Sequence, residues 1–78
     1  MRIYDADSKK SLESITLLLT PSEAKDLADA AADLAAHPQK HHCHVHDGGF
    51  TREIIVAVHT ADNLSQFDAE SRRVIDSP

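Results

Sequence analysis

One cysteine, Cys43, is all that the 78 residues contain, so no internal disulfide can staple the chain. Basic residues are scarce too. Eight lysines and arginines face thirteen acids, for a formal net charge of −5. A protein that grips the phosphate backbone needs a basic face to release counterions, so this balance argues against direct nucleic-acid binding. No apolar run reaches the roughly 18 residues of a membrane span. Met1 to Lys10 lacks the basic-then-apolar pattern of a signal peptide. Paired CxxC motifs and phosphate-cradling glycine loops are also missing. The expectation is an acidic, cytoplasmic protein without membrane contact. A chain of 8.5 kDa is expected to form one small domain over residues 1–78. Such a domain buries only about 60% of its unfolded surface, too little for a deep, lidded cleft.

What is present is a set of clear local signals. Thr20-Pro21-Ser22-Glu23 is a capping box with proline at the first helical position, and it predicts a helix from Pro21 to about Ala36. Ala24, Leu27, Ala28, Ala31, Leu34 and Ala35 recur at helical spacing as its apolar stripe, and Pro38 stops it. Asp26, Asp29 and Asp33 repeat on the other side as an acidic ridge. Arg2–Asp5 and Ser14–Thr20 read as strands around a polar hairpin loop. Lys40–His46 and Arg52–His59 read as strands joined at a tight Gly48-Gly49 turn of positive φ. That turn sets His44 opposite Glu53 and His42 opposite Ile55. Cys43, Val45, Ile54, Val56 and Val58 then face inward, with His42, His44, His46, Glu53, Ile55 and Ala57 outward. Ser65 is the expected cap of a last helix, Ser65–Ile75. The order β-β-α-β-β-α predicts an α+β fold: a four-stranded, mostly antiparallel sheet with the main helix on one face.

The tract His41-His42-Cys43-His44-Val45-His46 carries the densest chemistry. Alternate residues of a strand stand about 7 Å apart on one face, so His44 and His46 can approach one ion, with Glu53 as a carboxylate ligand. Zinc is the candidate cofactor of that set; the alternative is a metal-free face that uses imidazole as a half-apolar side chain. Cys43 points the other way, as a small inward hydrophobe rather than a nucleophile. His59, Thr60 and Asp62 lack an oxyanion cradle, so no catalytic residue is assigned and a non-enzymatic protein is expected. The outer face, with Leu18, Ile55 and Ala57 among the histidines, is more apolar than a solvated face requires and suggests a protein–protein surface. His42, His44, His46 and Ile55, with Asp26, Asp29 and Asp33, are the candidate partner-binding residues. An open strand edge at Arg2–Asp5 or Lys40–His46 also predicts a homodimer; if the histidine face lies in its interface, dimerisation weakens as pH falls through about 6.

The capped Leu-Thr-Pro-Ser-Glu-Ala helix, the histidine strand and Arg52-Glu53-Ile54-Ile55-Val56 form one group of motifs. Asp62-Asn63-Leu64-Ser65-Gln66-Phe67-Asp68 and Ser71-Arg72-Arg73-Val74-Ile75 complete it. Together, over roughly residues 14–75, the chain resembles small bacterial immunity proteins of polymorphic toxin systems, of the immunity protein 32-like family. The resemblance implies an antitoxin-type inhibitor that neutralises a toxin domain by protein contact. It assigns no toxin-contacting residues. A phage-encoded inhibitor of a bacterial defence complex has the same physical profile.

Overall fold

A computed structural model describes residues 1–77. The elements are β1 (Ile3–Asp5), β2 (Lys10–Leu12), α1 (Pro21–Ala36), a 3-10 turn (Pro38–Lys40), β3 (His42–His46), β4 (Glu53–Ala57), a second 3-10 turn (Leu64–Gln66) and α2 (Ala69–Asp76). The fold is a small α+β one. The strands do not form the expected four-stranded sheet: β1 pairs with β2 and β3 with β4, as two separate antiparallel ribbons. The chain divides into two units, Met1–Leu18 with Phe67–Pro78, and Leu19–Gln66.

In the first unit the chain reverses sooner than its hydrophobic pattern suggests. Asp5 accepts from the backbone N–H of Asp7 (3.1 Å) and the hydroxyl of Ser8 (2.7 Å), and Lys9 takes a positive φ of 58°. This Asx-type turn sends Lys10–Leu12 straight back along β1, with Ile3 opposite Leu12. The second strand is therefore three residues long and precedes Ser14–Thr20, which has no regular structure. Helix α2 starts at Ala69, not Ser65, because Asp68 is its N-cap and accepts from Ser71 N–H at 2.7 Å. That hydrogen bond holds the Asp68 carboxyl below its ordinary range. At the other end, Arg2 donates to the carbonyls of Val74 (3.2 Å) and Ser77 (2.5 Å). A guanidinium thus serves the orphan acceptors of the last turn. Tyr4 donates to the Glu70 carboxylate, and that bond raises the phenol above its usual value. Among the described residues of this unit, Val74 is the buried side chain.

In the second unit, α1 packs on β3 and β4. Its capping box is complete: Glu23 N–H donates to Thr20 Oγ1 (3.3 Å), and Thr20 N–H donates to Glu23 Oε1 (2.9 Å). The covered stripe is narrower than expected and turned: Glu23, Leu27, Ala30 and Leu34 are covered, while Ala24, Ala28, Ala31 and Ala35 are exposed. A ribbon of two strands can cover only the line drawn by the large side chains Leu27 and Leu34. Leu34 and Val45 are the buried apolar pair at its centre.

Candidate functional site

The histidine hairpin keeps the expected faces but not the expected register. His42 lies opposite Ala57, His44 opposite Ile55, Val45 opposite Ile54 and His46 opposite Glu53. This is a shift of two residues, which preserves the side-chain parity of both strands. The cause is Asp47. Its carboxylate accepts from Thr51 N–H (2.8 Å), Thr51 hydroxyl (2.7 Å) and Arg52 N–H (3.2 Å), building a wider loop than Gly48-Gly49 alone would make. The Thr51 hydroxyl leads in holding the Asp47 carboxyl below the usual range. Neither glycine has a positive φ; the left-handed residue of the loop is Phe50, at 55°.

The outer face carries two short rows: His42, His44 and His46 on β3, with Ala57, Ile55 and Glu53 across from them. The imidazoles form a continuous ladder. Ring centroids of His41 and His42 are 4.5 Å apart, those of His42 and His44 5.4 Å, and those of His44 and His46 6.2 Å. Phe50 extends the ladder at 5.0 Å from His46, and is 76% exposed. Ile55 is 57% exposed beside it. The contribution of Phe50 was missed from the sequence because a tight glycine turn placed it outside the face; only the wider loop brings it in. Leu18 is exposed but lies in no strand, so it is not part of this sheet face. Cys43 is half-buried on the inner side, opposite Val56.

Glu53 Oε2 lies 3.1 Å from His44 Nδ1 and 3.6 Å from His46 Nδ1. The three residues named as metal ligands are thus together. No group of three or more metal-ligating side chains among the described residues is arranged to hold an ion. A neutral imidazole that donates from Nδ1 to a carboxylate leaves Nε2 as its acceptor, which makes Glu53 an orienting group for the His44 ring. His41 Nδ1 and His42 Nδ1 are 2.8 Å apart, so one must carry the proton and the other accept it.

The aspartate ridge is partly neutralised. Lys25 donates to Asp29 (2.6 Å) and Lys40 to Asp33 (2.9 Å). The Asp29 bond raises the Lys25 ammonium, and the Lys40 bond lowers the Asp33 carboxyl. The ridge therefore presents alternating signs.

The loop after β4 is built around Asn63, the one buried polar residue among those described. Its side chain accepts from Thr60 N–H (2.8 Å) and donates to the carbonyls of Pro38 and Val58 (both 2.8 Å). Thr60 Oγ1 accepts from Asn63 N–H at 3.1 Å. Thr60 is thus engaged in the loop, and a shallow depression lined by Pro38, Gln39, Thr60, Asp62, Asn63 and Gln66 lies over it.

No family model matches this chain, and comparison with curated proteins and with solved structures finds nothing similar. No helix among the described residues is long and apolar enough to cross a membrane.

Proposed function

We propose that this protein is a cytoplasmic, non-enzymatic inhibitor of the immunity type, which neutralises a toxin or nucleic-acid-processing effector by protein contact. The observation that carries the reading is the exposed ladder of His42, His44, His46 and Phe50 with Ile55 beside it. Interface centres combine ring side chains with aliphatic ones and few charges, and this face has that composition. The acidic balance of the chain adds attraction to a basic partner. The immunity protein 32-like resemblance points the same way; a phage-encoded inhibitor of a defence complex would use the same face. The test is co-expression with the product of the adjacent gene. Rescue of growth by the native chain, lost with His42→Ala/His44→Ala/Ile55→Ala, supports the reading. Rescue retained by that variant assigns contact to another surface.

The Glu53 carboxylate shared by two imidazoles favours a second reading, a zinc-binding module. There His44 and His46 would hold the metal through Nε2, and Glu53, on the Nδ1 side of the His44 ring, would orient that ring. Elemental analysis of untagged protein, with His44→Ala as the comparison, decides it.

A further inference from the structure

Residues 14–19 have the sequence of a strand and the surroundings of a free edge. In an extended chain Ile15, Leu17 and Leu19 share one face and Thr16 and Leu18 the other, yet none of the backbone N–H or C=O groups of residues 14–19 makes a hydrogen bond among the described residues. Ile15, Leu17, Leu18 and Leu19 are all exposed, Leu18 to 91%. Natural edges are blunted by charge, proline or bulges, and Ser14–Thr20 has none of these. Pro21 and the Thr20 cap of α1 close the segment at its far end.

We propose that Ser14–Thr20 is a dimerisation strand, pairing antiparallel with the same residues of a second copy. Charge identifies the occupant. The chain carries −5, so two copies repel, but from Ser14 through Ser22 there is no charged residue. This neutral window lets identical acidic chains approach. The segment is also its own complement. With Leu17 opposite Leu17 on the twofold axis, Ile15 faces Leu19 and Thr16 faces Leu18. Ile15, Leu17 and Leu19 of both copies then line one side as six contiguous aliphatic groups. Glu13 falls opposite Pro21, so no like charges meet across the ladder. The pairing supplies the backbone partners that Ser14–Leu19 lack among the described residues. It is independent of the histidine hairpin, so it stands or falls apart from the partner-binding reading.

The test is sedimentation of the full, untagged chain from micromolar to millimolar concentration, with two disrupting variants and one trapping variant. Leu17→Asp puts a charge at the twofold axis, and Thr16→Pro removes a ladder donor. Each should raise the dimer dissociation constant by at least about tenfold. In a Cys43→Ser background, Leu17→Cys places two thiols on opposed residues. Antiparallel Cα separations of about 4.5–5.5 Å lie within disulfide range. Mild oxidation should then give mostly cross-linked dimer, whereas Ser22→Cys in the same background should stay mostly uncross-linked. A native chain that remains monomeric at millimolar concentration overturns the proposal. So does a dimer unaffected by both disrupting variants, or a Leu17→Cys chain that cross-links no better than Ser22→Cys.

Discussion

His44 and Glu53 are joined along a diagonal of the hairpin, not across a rung. The register sets Glu53 opposite His46, yet its carboxylate comes within 3.1 Å of His44 Nδ1. Diagonal neighbours on one face remain within reach of long side chains, and here the reach decides which nitrogen holds the proton. Neutral His44 is expected to be the Nδ1–H tautomer. Nitrogen-15 spectra should show this in the native chain and show its loss in Glu53→Ala. An unchanged tautomer in that variant would mean that Glu53 does not orient the ring.

The capping box at Thr20 offers a direct test of local design. Thr20→Ala removes the acceptor for Glu23 N–H and should cost about 1 kcal/mol, with Thr20→Ser recovering most of it. Urea unfolding checks this. A midpoint unchanged in Thr20→Ala would show that α1 is held by packing alone.

That helix was legible because its signals are local: threonine, proline and glutamate at fixed offsets, and a proline after the end. The faces of the histidine hairpin were legible as well, because alternation survives any even shift of register. The register was not, since it depends on Asp47 using its side chain to close the loop, and Gly48-Gly49 offered a simpler turn. The second strand went to Ser14–Thr20 because that segment has the better β pattern. Asp5 closes the first turn so early that Lys10–Leu12 takes the place beside β1 instead. The alanine stripe failed for a tertiary reason: a two-stranded ribbon covers less of α1 than a four-stranded sheet would.

Asn63 is the buried polar tie of the loop that follows β4. It joins Pro38, Val58 and Thr60 through three side-chain hydrogen bonds. Asn63→Ala strands two carbonyls and one N–H and should cost about 2–3 kcal/mol or more. Asn63→Asp keeps the shape but loses both donors, and is expected to be no better tolerated at neutral pH. Thermal unfolding of both variants tests this, and a loss confined to Ala would show that shape matters more than donation.

Acid should loosen the hairpin loop through Asp47. Its carboxyl is held below the ordinary value in the folded chain, chiefly by the Thr51 hydroxyl and then by Arg52 N–H. A depressed folded value means that the stabilisation is fully present above the unfolded carboxyl's range and is lost as pH falls through the folded one. The difference in urea midpoint between the native chain and Asp47→Ala should therefore be constant above about pH 5 and shrink toward about pH 2. A gap that persists unchanged at the acid end would assign the loop's stability to its backbone turn.

The two candidate partner surfaces predict different kinetics. The ridge of α1 is mixed, because Lys25 and Lys40 already hold Asp29 and Asp33. Changing Asp26, Asp29 and Asp33 together to asparagine does more than remove acid: it leaves both lysines without their carboxylates and turns an alternating ridge basic. Toward a basic partner, the association rate should fall and its salt dependence should weaken or reverse, while the dissociation rate changes little. The exposed pairs contribute little to folding, so unfolding should barely move. The histidine face should behave in the opposite way. His42, His44 and Ile55 offer packed contact rather than long-range field, so their alanine variant should speed dissociation and leave the salt dependence of association in place. Because the two sets of side chains share no contact, their effects on binding free energy should add. Rate measurements at two ionic strengths on the adjacent gene product separate these outcomes. A ridge variant that acts mainly on dissociation would place α1, not the sheet, at the centre of the interface.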